Sequence, residues 1–193
     1  VLELLRRHGL REAVVTLSFM PQAIRTYFAD GEELGMELEY SVEAEPLGTA
    51  GSVRLAGERL AETFLVISGD AVCDVDLTEL VAAHRTSGAA VTIGIRSVPD
   101  PLEYGIVVTD AAGRVERFHE KPSWGQVFTD TVNTGIYVIE PEVLAHIPEG
   151  RACDFSEDVF PSLLASGIPL HGHVLDGYWQ DVAVYLRDHT GAD

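Results

Sequence analysis

The chain has 193 residues, 46% of them hydrophobic and 23% charged, which is enough for one globular domain with a substantial core. Its 31 acidic residues outnumber its 13 basic ones, and the formal net charge of -18 argues against nucleic acid or an anionic membrane surface as a partner. No run approaches the roughly 20 apolar residues that cross a bilayer, and the N-terminal residues lack an export pattern. We therefore expect a soluble, cytoplasmic protein.

The first half of the chain alternates strand patterns with helix patterns. An amphipathic helix over residues 1–8 ends at Gly9, and residues 12–17 form an apolar, β-branched run typical of a strand buried on both faces. Further strands are predicted at residues 36–40, 63–67 and 90–95, and further helices at 21–29, from about 49, and at 77–84. Because helices separate the strands, we predict right-handed crossovers and a mainly parallel sheet that is covered on both sides.

The second half has more α+β character. Residues 105–109 and 114–118 flank a turn and are predicted to pair as a hairpin. A buried strand at residues 133–139 is followed by a short helix at 141–146 and a longer one at 155–165. The pattern as a whole predicts one α/β domain.

Candidate functional residues follow the predicted strands, because ligands of open α/β sheets bind at the carboxyl ends of strands. Asp70 comes directly after the strand at residues 63–67 and is placed to hold Mg²⁺, a hard cation that takes oxygen ligands. Asp181 follows two aromatic residues in a later segment and is a candidate second carboxylate for the same cation. The alternatives are an ordinary Gly-Asp turn at Asp70 and a packing motif with a surface acid at Asp181.

Two other strand ends carry candidate substrate contacts. Gly48 lets a ligand approach the backbone closely, and Thr49 is predicted to cap a helix whose free amides suit a base edge or a phosphate. Lys121 is a compact cation for a phosphate, and Glu120 can accept hydrogen bonds from sugar hydroxyls. Taken alone, these patterns also fit an ordinary turn with a helix cap and solvated charges at a strand end.

Six motifs occur together in one order along the chain. They are Glu45–Gly51 (Glu-Pro-Leu-Gly-Thr-Ala-Gly), Ser68–Asp70, Tyr104–Gly105, Glu120–Pro122, Asn133–Tyr137 and Tyr178–Val182. In this order they resemble the nucleotidyltransferases that activate sugar 1-phosphates, and the first motif most resembles mannose-1-phosphate guanylyltransferases. The resemblance implies an α/β, Rossmann-like fold similar to the GT-A fold, which is a three-layer sandwich with a mixed, mainly parallel sheet.

The resemblance also implies a reaction and a set of roles. The phosphate oxygen of a sugar 1-phosphate would attack the α-phosphorus of a nucleoside triphosphate, with GTP and mannose 1-phosphate favoured, and pyrophosphate would leave. By similarity, Asp70 and Asp181 would hold Mg²⁺, and Lys121 would meet the sugar phosphate. The implied substrate-binding residues are Glu120, Asn133 and the backbone of Tyr104 and Gly105 on the sugar side, and Glu43, Gly48 and Thr49 on the nucleotide side.

Two departures from the family pattern leave alternatives open. The family's N-terminal strand and glycine-rich triphosphate loop have no counterpart before Val1, so residues 1–193 are predicted to be an N-terminally incomplete domain. The family also has a few more residues between Asp181 and the helix around Tyr185, which predicts missing residues after Val182. A continuous chain there would favour a catalytically silent relative that senses nucleotide sugars. A thymidylyl- or uridylyltransferase acting on glucose 1-phosphate is a further alternative, and a homo-oligomeric state is left open.

Overall fold

The computed structural model describes the backbone of residues 1–190 and the side chains of residues 1–186. In chain order, the helices and strands are α1 Leu2–Arg7, β1 Glu12–Leu17, α2 Pro21–Phe28, β2 Glu37–Val42, α3 Gly48–Leu55, β3 Phe64–Ile67, β4 Ala71–Val75, α4 Leu77–Ser87, β5 Val91–Ser97, β6 Ile106–Thr109, β7 Val115–His119, β8 Thr131–Ile139, α5 Phe160–Ala165, β9 Leu170–Val174, β10 Gly177–Asp181 and α6 Val182–Thr190. Short 3-10 helices occur at Glu32–Leu34, Gly57–Arg59, Trp124–Gln126 and Pro141–His146, and a π-helical turn at Phe155–Val159 leads into α5.

Helix α4 illustrates how the local sequence sets these boundaries. The Asp76 side chain accepts a hydrogen bond from the backbone N–H of Glu79 at 2.9 Å, which caps the first turn. Gly88 adopts the left-handed conformation that ends the helix, with a φ of 63°. Leu77 and Leu80 are fully buried in a hydrophobic cluster that also contains side chains of the sheet, which fixes the face that α4 turns inward.

The central sheet is mixed. Its strands lie in the order β7-β6-β8-β5-β9, and β3 pairs with the second half of β8. Strand β8 runs antiparallel to β3, β5 and β6, whereas β5 and β9 are parallel. Strands β1 and β2 form a separate parallel pair, and β4 and β10 form an antiparallel ribbon. The predicted mixed α/β architecture is confirmed. Among the described strands, however, parallel pairing is limited to β1–β2 and β5–β9, because β8 is inserted between β3 and β5.

The side chains of β8 alternate between two hydrophobic clusters. Tyr137 and Ile139 belong to the first cluster, and Ile136 and Val138 belong to the second. Because successive side chains of a strand point to opposite faces, the two clusters lie on opposite sides of the sheet. Helix α5 contributes to the first cluster and α4 to the second, so helices cover both faces of the sheet.

An open slot separates β1 from β3. In the described part of the chain, β1 pairs only with β2, and β3 pairs only with β8. A cavity of about 640 Å³ lies between the two strands and is lined by Ala13, Val14 and Thr16 of β1 and by residues 64–67 of β3. The prediction that residues 12–17 are buried on both faces is wrong, because this slot leaves the strand half-exposed.

Two other elements differ from the sequence-based prediction. Strand β4 has no predicted counterpart, since it is short and contains the exposed residue Asp74, and its pairing with β10 depends on a segment far along the chain. The predicted helix over residues 155–165 begins as a π-helical turn before α5 starts at Phe160. None of the helices in the described residues is long and apolar enough to cross a membrane.

Candidate active site

The backbones of Asp70 and Asp181 lie next to each other at one end of the β4–β10 ribbon. Asp181 lies opposite Ala71 in the antiparallel register, and the N–H of Val182 donates to the carbonyl oxygen of Asp70 at 3.1 Å. Asp70 is exposed, whereas Oδ1 of the half-buried Asp181 accepts a hydrogen bond from the N–H of Val184 at 3.0 Å. The fold therefore brings together two acids that are far apart in the sequence.

These two carboxylates suit a cation whose coordination is completed by substrate. Within residues 1–186, whose side chains are described, no group of three or more histidine, cysteine or acidic side chains is placed to hold a metal ion. Mg²⁺ commonly takes only one or two protein carboxylates and fills its other positions with phosphate oxygens and water. The pair Asp70 and Asp181 is compatible with a Mg²⁺ that binds together with a nucleotide, and their sharing of one cation stays a prediction.

Two further acids close to Asp70 have structural partners instead. Asp74 forms an ion pair with Arg7 at 2.8 Å, and both side chains are exposed. Asp76 caps α4 through its contact with the N–H of Glu79. The fold thus separates Asp70 from its acidic neighbours in sequence.

Helix α6 begins immediately after Asp181. It runs from Val182 through Ala183 without interruption. That residues of the complete protein are missing at this point stays a prediction. The direct connection is feasible because Asp181 itself caps the new helix through the N–H of Val184.

Lys121 stands at the end of β7 in a backbone conformation that is rare for a residue with a side chain. Its φ is 40°, and its N–H donates to the carbonyl oxygen of Tyr104 at 3.1 Å. The side chain is exposed, and Lys121 is the single lysine of the sequence. Positive φ values at residues other than glycine cost free energy and concentrate at functional sites, which agrees with the predicted role of Lys121 without testing it.

Tyr104 and Gly105 form the other side of this region. The Tyr104 ring lies 5.5 Å from the ring of Trp179, centroid to centroid, and the Trp179 indole N–H donates to the carbonyl oxygen of Thr134 at 3.0 Å. The carbonyl oxygen of Gly105 accepts from the N–H of Asn133 at 2.8 Å. Since Trp179 is on β10, the aromatic contact ties the strand that carries Asp181 to the predicted sugar-binding backbone.

Glu120 has a carboxylate oxygen that the protein does not satisfy. Its Oε2 is buried and has no hydrogen-bond partner among the described residues. Burial, reinforced by the negative charges of Asp154 and Glu157, raises the pKa of Glu120, although Lys121 and a side-chain hydrogen bond from Ser156 oppose the shift. A side chain at Gly105 would place its Cβ 2.5 Å from this oxygen, so glycine keeps the space in front of the carboxylate open. An unpaired buried acceptor of this kind is suited to a hydroxyl donor from a ligand.

We expect the change Glu120→Gln to raise the melting temperature at neutral pH. The pKa of Glu120 is raised above 4.5 in the folded protein, so between pH 4.5 and the raised value the folded state holds a proton that the unfolded chain has lost. The stabilisation from this proton is fully present below pH 4.5 and is lost as the pH rises through the folded-state pKa.

Thermal melts of the wild type and the variant from about pH 4 to pH 8 check this prediction. The variant should melt about 1–3 °C higher at neutral pH, and the two curves should converge at the acid end. A difference that does not change with pH would contradict the assigned cause.

Asn133 uses its amide within the protein. Its Nδ2 donates to the Tyr137 hydroxyl at 2.9 Å and to Ser156 Oγ at 3.0 Å, and its Oδ1 accepts from the N–H of Gly135 at 2.9 Å. Burial raises the pKa of Tyr137 far above its usual value, which keeps this hydroxyl neutral. A sugar oxygen that accepts from Asn133 Nδ2 would have to replace the Tyr137 hydroxyl or Ser156 Oγ, whereas Oδ1 can accept a second hydrogen bond.

The predicted nucleotide-binding residues lie on one loop and the helix that it enters. Glu43 Oε2 accepts from the N–H of Leu47 at 2.8 Å, which closes the loop that follows β2. The prediction that Thr49 caps a helix is wrong, because α3 already begins at Gly48 with Leu47 at its N-cap. The Thr49 hydroxyl instead donates to Asp154 Oδ2 at 2.6 Å.

Gly48→Ala is expected to lower the free energy of unfolding by at least about 2 kcal/mol. Gly48 has a φ of 73°, and an added Cβ would lie 2.6 Å from the carbonyl oxygen of Cys153, which is backbone and cannot move aside cheaply. Gly88→Ala is the matched control, since Gly88 has a φ of 63° and open space around its Cβ position. The control should cost only about 1 kcal/mol from backbone strain. Equal losses in urea denaturation would show that the contact with Cys153 is unimportant.

Comparison with known proteins agrees with this geometry. Residues 1–184 match the family described as Nucleotidyl transferase. The chain belongs to the nucleotidyl transferase family.

A UTP–glucose-1-phosphate uridylyltransferase from Synechocystis is 39% identical over 94% of this chain and 50% of its own length. A mannose-1-phosphate guanylyltransferase from Mycobacterium tuberculosis is 38% identical over 90% of this chain and 48% of its own length. This member of the nucleotidyl transferase family spans about half the length of the curated relatives it matches.

The fold of this chain is also found in solved structures. A candidate glucose-1-phosphate thymidylyltransferase from Bacillus anthracis superposes with a TM-score of 0.84 at 20% sequence identity. The superposition covers 96% of this chain and 77% of the other. The α/β fold of the nucleotidyl transferase family is thus confirmed for this chain.

Three residues around this candidate site, namely Asp154, Ser156 and Tyr137, are outside the predicted set of site residues. Asp154 accepts hydrogen bonds from the N–H groups of Ser156 and Glu157, at 2.8 and 3.4 Å, and so caps the π-helical turn. An acid followed three residues later by Glu157 is a helix-start signal, which indicates the cap but not the contact with Thr49. Tyr137 lies on β8 with Asn133, four residues along the same strand, whereas Ser156 belongs to the π-helical turn. No local sequence pattern predicts the contact between Ser156 and Asn133.

Proposed function

We propose that the complete protein transfers a nucleotidyl group from a nucleoside triphosphate to a sugar 1-phosphate and releases pyrophosphate. GTP and mannose 1-phosphate are the favoured substrates. The observation that carries the proposal is the backbone contact between Val182 and Asp70, which brings Asp70, in the turn before β4, beside Asp181 at the end of β10. Lys121 and Glu120, at the end of β7, supply a cation and an unpaired acceptor for a phosphorylated sugar.

In the proposed mechanism, the protein positions two anions and neutralises their charge. The sugar phosphate oxygen attacks the α-phosphorus in line with the leaving pyrophosphate, so one P–O bond forms as another breaks. Lys121 holds the sugar phosphate through its ammonium group, and Glu120 accepts from a sugar hydroxyl. Gly48 presents backbone to the base, where a larger residue would collide with Cys153.

Asp70 and Asp181 are the residues that would hold Mg²⁺ in this proposal. Asp181 has one carboxylate oxygen engaged by the N–H of Val184, which leaves the other for a cation. When bound, the ion would neutralise charge on the phosphates and orient them.

We also propose that a further strand completes the sheet in the whole protein. Within the described part of the chain, the slot between β1 and β3 leaves an unpaired edge on each strand, and unpaired edges that flank a cavity favour insertion of an extended segment. This supports the prediction that residues 1–193 are an incomplete domain, of which residues 191–193 lie outside the described part. A strand inserted at this position would have one of its ends near Asp70, since it would lie beside β3.

The nucleotide and the sugar are proposed from the relatives' names. Both a guanylyltransferase for mannose 1-phosphate and a uridylyltransferase for glucose 1-phosphate are close to 40% identical to this chain. Pyrophosphate release by the complete protein, measured with GTP, UTP and dTTP against each sugar 1-phosphate, separates these activities. We expect the highest kcat/KM with GTP and mannose 1-phosphate. A preference for UTP or dTTP with glucose 1-phosphate would overturn that choice and retain the reaction class.

A second candidate is a catalytically silent relative that senses nucleotide sugars. The sequence after Asp181 favours it, because the connection to the helix around Tyr185 is a few residues shorter than in the family pattern. If the complete protein binds a nucleotide sugar but releases no pyrophosphate with any of the substrate pairs, this candidate replaces the enzyme. A cytoplasmic location and the absence of nucleic acid partners stay predictions from composition and charge.

A further inference from the structure

We propose that Asp154 is a positioning residue that couples the nucleotide side of the site to the sugar side, an inference that rests on the proposed function. The residue lies between two groups that are separate in sequence, namely the loop and helix start at residues 47–51 and the Asn133 amide. It is not one of the residues proposed above to contact a substrate. Its role would be to make the binding of one substrate favour the binding of the other.

On the nucleotide side, the segment at Cys153–Phe155 is bound to the loop by five hydrogen bonds. Three are backbone contacts of Cys153: its N–H donates to Leu47 at 2.9 Å, and its carbonyl oxygen accepts from Ala50 at 3.0 Å and Gly51 at 3.1 Å. The other two involve Thr49, whose hydroxyl donates to Asp154 Oδ2 at 2.6 Å and accepts from the N–H of Phe155 at 3.0 Å. The Thr49 hydroxyl is therefore the side-chain link between loop and segment.

On the sugar side, the second carboxylate oxygen of Asp154 connects Thr49 to the Asn133 amide through hydrogen bonds. Asp154 Oδ1 accepts from the N–H of Ser156 at 2.8 Å, and Ser156 Oγ accepts from Asn133 Nδ2 at 3.0 Å. Asn133 Oδ1 accepts from the N–H of Gly135, whose carbonyl oxygen accepts from the N–H of Ser68 at 3.1 Å. The network thus extends from Thr49 to the turn that carries Asp70.

The Asp154 carboxylate accepts hydrogen bonds from the Thr49 hydroxyl and the N–H of Ser156. No ion pair joins Asp154 to a basic side chain among the described residues, although the carboxylate adjoins the acidic Glu120 and Glu157. A carboxylate in acidic surroundings depends on hydrogen-bond donors at both oxygens. Movement of Thr49 on nucleotide binding would therefore be transmitted to Ser156 through the same group.

Such coupling is reciprocal and measurable. If nucleotide binding fixes the loop at residues 47–51, it also fixes Ser156 and Asn133, and the affinity for sugar 1-phosphate rises by the same factor as the affinity for nucleotide rises in the presence of sugar. We define the linkage factor as the Kd of the sugar 1-phosphate in the absence of nucleotide divided by its Kd in the presence of nucleotide. A residue that merely stabilises the fold would change the melting temperature and leave the linkage factor unaltered.

The experiment compares four forms of the complete protein: wild type, Thr49→Val, Thr49→Ser and Asp154→Ser. Thr49→Val removes the hydroxyl with little change in shape, and Thr49→Ser restores it. Asp154→Ser keeps a side chain that can cap the turn but is too short to reach Thr49. Calorimetric titration of mannose 1-phosphate, with and without an α,β-methylene analogue of GTP, gives the linkage factor for each, and thermal melts show which variants are folded.

We expect a linkage factor of at least about five in the wild type and in Thr49→Ser, and a factor near one in Thr49→Val and Asp154→Ser. If Thr49→Val fails to fold, Asp154→Ser provides the same comparison. An unchanged factor in the folded variants, or a factor of one in a wild type that turns over substrate, would refute the coupling while the proposed function stands. A wild type with no turnover of any substrate pair would refute the function and, with it, the coupling.

Discussion

Replacing Asp181 with asparagine in the complete protein is expected to lower kcat by at least about 100-fold, since charge neutralisation by a bound cation contributes several kcal/mol to phosphoryl-group transfer. Asparagine keeps an acceptor for the N–H of Val184, so the cap of α6 and the fold should survive. The charge that the cation requires is lost. Steady-state kinetics at saturating GTP and mannose 1-phosphate measure the effect, and excess Mg²⁺ should restore only part of the activity.

Asp74→Asn is the matched control for this change. Asp74 is on β4 of the same ribbon, but its exposed carboxylate pairs with Arg7 and contributes little to stability. Its removal should leave kcat within about twofold of the wild type. If both substitutions reduce turnover equally, the loss reflects the overall negative charge of the ribbon and the assignment of Asp181 fails.

Lys121→Ala should lower kcat/KM for the sugar 1-phosphate by at least about tenfold, because a charge-assisted hydrogen bond contributes roughly 1.5–3 kcal/mol. The effect should fall on the sugar phosphate and leave the KM for nucleotide nearly unchanged. Initial-rate kinetics with each substrate varied in turn make this distinction.

Arg117→Ala serves as the control for Lys121, since it removes a cation from the same strand. The Arg117 guanidinium lies over the Phe128 ring, 4.9 Å from its centroid, and is not at the strand end. Unchanged kinetics in Lys121→Ala, or equal losses in the two variants, would mean that Lys121 is only a solvated charge.

Most of the fold could be predicted from local patterns, because apolar runs and helix caps are local properties. The pattern at residues 63–67 predicts β3, and the sequence from Leu77 onward predicts α4 and its first residue, although the helix continues to Ser87 instead of ending at residue 84. The position of β8 could not be predicted in this way. Its insertion between β3 and β5 depends on which strand edges meet, and a buried strand has the same composition in either direction.

The placement of site residues could be predicted where a local sequence motif contains them. It could not be predicted where a contact between distant segments decides the role of a residue. Asp70 and Lys121 follow strands, so their placement at strand ends could be expected. The role of Thr49 could not, because its partner Asp154 belongs to a distant turn and a threonine beside glycine is equally typical of a helix cap. The continuous start of α6 likewise depends on Asp181 serving as its cap, which the family pattern does not suggest.

A crystal structure of the complete protein with Mn²⁺ in place of Mg²⁺ and with GDP-mannose tests the central claim most directly. Anomalous scattering locates the metal independently of the surrounding atoms. The account predicts one manganese ion in contact with carboxylate oxygens of both Asp70 and Asp181 and with a phosphate oxygen of the nucleotide sugar, with Lys121 beside the phosphate next to the sugar. A nucleotide sugar bound elsewhere, or a metal that touches neither aspartate, would contradict it.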